Sequence, residues 1–157
     1  MYLQQFVKED LGGDGYLVRD TGAALVLRYL EEVIHKGDVA AIDSSIATNH
    51  VLTWPGSPSP MYGPEAFKHL LIIYDSAFPD LRWTTQGVIA QGDTVVARLR
   101  ACGTHQREVM GMPPTGKQVT WTETHIFRLA NGKLVEHWTN LDQLSRLQHL
   151  GVLPVVE

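Results

Sequence analysis

Apolar positions first recur at helical spacing from Ala23 onward, where Val26, Tyr29, Leu30, Val33 and Ile34 form one stripe. Asp20 or Thr21 stands where an N-cap belongs, and Gly37 follows the end. Asp38 caps a shorter predicted helix carrying Val39, Ile42 and Ile46 and ending near Thr48. A strand is predicted at 50–54, followed by a loop at 55–60 in which three prolines remove ladder donors, placed to flank a pocket mouth. Gly63 and Pro64 open a third helix with Phe67, Leu70, Leu71 and Tyr74 on its stripe, and Pro79 lies beyond its end.

After Asp80 the period falls from about 3.6 to 2. Strands are predicted at 82–90, 94–104, 119–129 and 134–141, joined by a turn at 91–93, a long loop at 106–117 and the Asn131-Gly132 hairpin signal. Leu144, Leu147 and Leu150 predict a last short helix ending at Gly151. Helices first and an antiparallel sheet second make an α+β globule rather than βαβ winding. Residues 11–22 hold four glycines and read as an irregular lead-in, so the expected organisation is an N-terminal arm, 1–22, and one domain, 23–157.

Composition narrows the function classes. Of 157 residues, 44% are hydrophobic and 19% charged, which excludes disorder, collagen and coiled coil. A net charge of −4 has the wrong sign for a phosphate-backbone footprint, so nucleic acid is not an expected partner. No apolar run reaches the roughly 18 residues of a membrane span, and the first ten residues lack the features of a secretory signal. The single cysteine, Cys102, fits a reducing compartment and reads as a small buried hydrophobe. A cytoplasmic protein with no membrane partner is expected. Gly12, Gly13 and Gly15 lack the Lys-Ser/Thr of a phosphate loop.

Alternation along the strands places ionisable groups among aromatics. At 119–129 the odd positions are Val119, Trp121, Glu123, His125, Phe127 and Leu129; at 134–142 the even ones are Leu134, Glu136, Trp138, Asn140 and Asp142. If both sets face one cavity, an apolar chamber with a few acid/base groups results, as small-molecule sites require. Asp142, walled by Trp138, is then a candidate general base, although a carboxylate just before Leu144 and Leu147 also reads as an N-cap. His125 and His137 are candidates for donating to a substrate carbonyl or shuttling a proton with Asp142. Trp121, Trp138, Trp54, Glu123 and Asn140 are candidate substrate contacts. His105, His125 and His137 fall on separate strands without a compact ligand spacing, so no metal is expected.

Several segments together carry a family pattern: residues 78–82 (Phe-Pro-Asp-Leu-Arg), 103–105 with 110–117, the strand 119–128, the Glu136-His137-Trp138 run with Asp142 after it, and Leu147 to Gly151. In this combination and order the chain resembles, over about residues 23–153, the SnoaL-like polyketide cyclase (ester cyclase) branch of the nuclear transport factor 2-like superfamily. The resemblance implies a cone-shaped, strongly curved, mostly antiparallel sheet on three to four helices, enclosing a pocket, and a homodimer formed through the sheet. It also implies an aspartate near the end of the last strand, here Asp142, acting as acid and base in an aldol ring closure with no cofactor. The expected function is cofactor-independent acid/base chemistry beside a carbonyl of a small hydrophobic substrate. A non-catalytic binding protein for an apolar metabolite, or an isomerase or dehydratase on the same fold, are the alternatives.

Overall fold

The computed structural model describes residues 21–155, so the predicted arm, apart from its last two positions, lies outside the described residues. Helix α1, Thr21–Tyr29, buries Ala23, Val26 and Tyr29. It continues into a wider π-helical turn, Leu30–His35, where the Lys36 N–H donates to the Glu31 carbonyl at 3.1 Å and Leu30 and Val33 stay buried. Asp38 then accepts hydrogen bonds from the Ala40 and Ala41 N–H groups at 3.0 and 3.3 Å and starts helix α2, Ala41–Ser45. The sequence extends this helix to Thr48; the structure ends it at Ser45. Ile46, at ψ 135, is already strand β1, Ile46–Thr53, because it pairs with Leu134. Sheet pairing of a β-branched residue overrides its place on a helical stripe.

Strand β2, Met61–Tyr62, leads into helix α3, Gly63–Ala77. Gly63 takes φ +76, which a side chain resists, and Pro64 follows in the first turn, where its missing N–H costs nothing. Four long strands follow: β3, Arg82–Gln91; β4, Thr94–Thr104; β5, Gln118–Ala130; and β6, Lys133–Leu141. Helix α4, Gln143–Leu150, closes the order and stops at Gly151 with φ +79. The β5–β6 hairpin turns on Asn131 and Gly132, both at positive φ as a primed turn needs.

The six strands lie in one sheet ordered β2-β1-β6-β5-β4-β3. The four long strands pair antiparallel as predicted, whereas β1 runs parallel to β6. One face of the sheet is the core wall. On β4 it presents Val95, Ala97, Leu99 and Ala101, and on β5 Val119, Trp121, Glu123, His125 and Phe127, all buried. Helices α1 and α3 cover that wall with Val26, Tyr29, Phe67, Tyr74 and Ala77. Burying each large side chain of this set contributes about 1.5–3 kcal/mol before the entropy of ordering is subtracted.

One irregularity decides which side chains meet. Arg128 pairs with Glu136, but Leu129 pairs with Leu134, so Val135 is an extra residue in β6. The parity of β6 therefore changes there: Leu134 is buried before the bulge, and His137 and Thr139 are buried after it. An Arg128–Glu136 ion pair spans the strands at this point.

Candidate active site

Between the sheet wall and the helices lies a cavity of about 570 Å³, counted together with the open space at its mouth. Its helical side is almost wholly apolar: Val33 and Ile34 from the π turn, and Phe67, Leu70, Leu71 and Tyr74 from α3. Leu52, Trp54, Leu81, Trp83 and Leu99 continue the apolar lining around the sheet. Against this background Glu123 and His125 from β5 and His137 and Thr139 from β6 converge on one wall.

These four groups are joined. Glu123 is 3% exposed and its Oε1 accepts a 2.7 Å hydrogen bond from Trp121 Nε1. That bond leaves Oε2 lying 3.0 Å from His125 Nε2, at ion-pair distance though not aligned as a hydrogen bond. On its other side His125 Nδ1 is 2.8 Å from His137 Nε2, and the Thr139 hydroxyl lies 3.2 Å from the same His137 nitrogen. His125 and Thr139 are cross-strand partners, as are Phe127 and His137, so the antiparallel register itself builds the cluster.

Burial sets the charge state of its inner end. His137 is held far below the ordinary histidine range by desolvation, with the nearby His125 and His50 adding to the effect. His50, on β1, is lowered to about 4 by desolvation, and neither of its ring nitrogens has a partner. Both rings are therefore neutral at pH 7. Asp75 of α3 also lines the cavity, and desolvation raises its carboxyl above the usual value.

The residues singled out from sequence separate into two groups. Glu123, His125, His137 and Trp54 line the cavity. Trp138 and Asn140 do not: both are exposed on the opposite face of β6, because the bulge at Val135 reverses the parity on which they were placed. Trp121 is 1% exposed and packs against Phe78 and Trp83 on the same core face, and it holds Glu123 through its indole N–H rather than lining the space. Asp142 is exposed and its Oδ1 accepts the Ser145 N–H at 3.1 Å, capping α4. Those bonds to Ser145 lower its pKa, and the carboxylate lies outside the cavity it was expected to share with Trp138. His105 hydrogen-bonds Thr115 and is not part of the cavity lining, so the three strand histidines do not converge.

Sequence reasoning missed Thr139, His50 and Asp75. The first two follow from the register of β6 and from β1 lying beside it in parallel, which no local pattern announces. Asp75 sits next to the apolar stripe of α3 at Tyr74, and that adjacency was a usable signal.

Comparison with known proteins agrees with this architecture. The family model for SnoaL-like polyketide cyclase matches residues 24–150. Aklanonic acid methyl ester cyclase DauD of Streptomyces sp. (strain C5) is 31% identical over 90 residues, which are 57% of this chain and 56% of DauD. The match thus spans little more than half of that relative. Nogalonic acid methyl ester cyclase of Streptomyces nogalater is 30% identical over 90 residues, 57% of this chain and 67% of the relative. Among solved structures, IdmH of Streptomyces antibioticus superposes with a TM-score of 0.73 at 31% identity, covering 84% of this chain and 99% of IdmH. AclR of Streptomyces galilaeus, described as a candidate hydroxylase, gives 0.75 at 30% identity, covering 87% and 84%. With the matched segment running from the first helix through the last, the chain belongs to the SnoaL-like polyketide cyclase family.

Proposed function

We propose that the protein is a cyclase-like acid/base enzyme acting beside a carbonyl of a small hydrophobic substrate, with the Glu123–His125 pair as its base. The observation that carries this reading is a carboxylate and an imidazole 3.0 Å apart on one wall of a mostly apolar cavity. Trp121 holds the carboxylate in place, and neutral His137 with Thr139 holds the far side of the His125 ring. The pair takes a proton from the carbon next to a carbonyl, and the electron pair of that C–H bond moves onto the carbonyl oxygen as an enolate. The enolate carbon then attacks a second carbonyl carbon of the same molecule. A C–C bond forms, and the resulting alkoxide recovers the proton from the pair. No oxidant, reductant or co-reactant is consumed.

The apolar lining supports a folded polyketide-like skeleton. Holding the two reacting carbons together is worth about 7–11 kcal/mol of barrier at best. The names of the two cyclase relatives make aklanonic acid methyl ester and nogalonic acid methyl ester the first compounds to try. Purified protein should cyclise at least one of them, and Glu123→Gln and His125→Phe should each reduce kcat by about 10²-fold or more while the fold persists. Full activity in both variants overturns the assignment of the base. Persistent binding of either ester with no conversion by the wild type favours a non-catalytic binding protein instead.

A further inference from the structure

Arg146, on α4, is 1% exposed, yet no carboxylate among the described residues pairs with it. Its hydrogen bonds go to neutral groups. Nη1 donates to Tyr74 Oη at 2.5 Å, and Nη2 donates to Gln143 Oε1 at 2.7 Å and more weakly to Met110 Sδ at 3.5 Å. Nε has no partner, and the guanidinium carbon lies 5.7 Å from the ring centroids of both Tyr74 and Trp121. A desolvated cation held only by neutral partners is costly unless it works on negative charge elsewhere.

Tyr74 connects that cation to the cavity. Tyr74 lines it from α3, as Glu123 and His125 do from the sheet. Because the phenol oxygen accepts from Arg146, its own hydrogen remains to be donated, and it meets no acceptor among the described residues. Burial raises the phenol above its ordinary pKa despite the pull of Arg146, so it stays protonated and stays a donor. On the sheet wall the Trp121 N–H is committed to Glu123, and the Thr139 hydroxyl and His137 Nε2 meet His125, which leaves His137 Nδ1 and His125 Nε2 without hydrogen-bond partners.

We propose that Tyr74 Oη binds the substrate's carbonyl oxygen and stabilises the negative charge that develops there, with Arg146 as the positioning residue that polarises it. The ligand class is a flat apolar molecule bearing an enolisable carbonyl or an acidic phenol. The reaction served rests on the function proposed above; the binding of a phenolate or enolate oxygen at Tyr74 does not. When the Glu123–His125 pair removes the C–H proton, charge accumulates on an oxygen facing a hydroxyl backed by a buried cation, and this donor is in place before the reaction begins.

The probe is 2-naphthol, whose oxygen mimics an enolate and whose ionisation is read by absorbance. Bound to the wild type, it should ionise at a pH at least about one unit below that of the complex with Tyr74→Phe, a tenfold difference in the stability of the bound anion. Arg146→Lys should retain part of this difference, and Arg146→Gln should lose most of it. Glu123→Gln should keep the difference while losing turnover. Equal ionisation in wild type and Tyr74→Phe, or no binding of 2-naphthol by the wild type, overturns the proposal, and wild-type ionisation in Arg146→Gln overturns the role of Arg146. If Tyr74→Phe does not fold, graded loss through Arg146→Lys and Arg146→Gln decides the matter. Tyr74-dependent ionisation in a protein that cyclises neither ester leaves this inference standing and removes the proposed reaction.

Discussion

Mild acidification, to pH 5, should already destabilise this fold, and His50 is the reason. Its ring is 0% exposed, neither nitrogen has a partner, and its nearest aromatic neighbour in the cluster is His137 at 6.1 Å. Desolvation lowers its pKa from 6.5 to about 4. A lowered histidine pKa means that the unfolded chain binds the proton more readily, so stability is complete above pH 6.5 and is lost as the pH falls toward 4. Each factor of ten in proton affinity between the folded and unfolded chain is worth about 1.36 kcal/mol. At pH 5 the loss from this residue is therefore about 2 kcal/mol, and below pH 4 it reaches about 3 kcal/mol. His137, lowered further, acts in the same direction. Against a total stability of about 5–15 kcal/mol such a loss is large.

Urea unfolding at pH 8 and pH 5, followed by tryptophan fluorescence, measures the effect. The wild type should lose about 2 kcal/mol more than His50→Leu over that interval, because the variant has no proton to bind at this position. The substitution should itself be neutral or stabilising at pH 8, since it replaces an unpartnered buried polar ring with an apolar group. If the two proteins lose the same stability to within about 0.5 kcal/mol, the burial argument for His50 is wrong.

Asp142→Ala should cost about 1 kcal/mol, lowering Tm by about 2–4 °C in thermal unfolding, whereas Asp142→Asn should keep the cap and most of the stability. With turnover in hand, Asp142→Asn should retain it; its abolition in a folded protein would return the chemistry to Asp142. Leu99→Ala, at a fully buried position on the cavity lining, should destabilise by about 2–3 kcal/mol in urea and loosen the binding of a small apolar ligand. Gly103→Ala should cost about 1–3 kcal/mol by the same assay, because its Cβ would meet Leu81 Cα and Phe78 Cβ at 3.2 Å.

The architecture was legible because its signals are local. Period-2 alternation located β3 to β6 within a residue or two, Asn131-Gly132 located their last hairpin, and Gly63-Pro64 located the start of α3. β5 has no bulge against β4, so alternation there also assigned the faces correctly, and Glu123 and His125 emerged together on the core side. Failures occurred where a long-range contact outweighed a local preference. Ile46 left its predicted helix to pair with Leu134, and the parallel placement of β1 beside β6 brought His50 near His137 from 87 positions away in the chain.

The candidate site turned on a single residue. Counting by twos from Leu134 places Glu136, Trp138 and Asn140 inward, and the inserted Val135 sends them outward while turning His137 and Thr139 toward His125. A one-residue change of register exchanges every side chain between faces, so no composition or propensity argument recovers the answer. Of the two readings the sequence offered for Asp142, base and N-cap, the structure bears out the cap. With the faces assigned, the proposed base comes from β5, whose alternation against β4 is unbroken, and the proposed oxyanion donor from α3. Proposed base and proposed donor then come from different elements of the lining, as removing a proton from one atom while charge gathers on another requires.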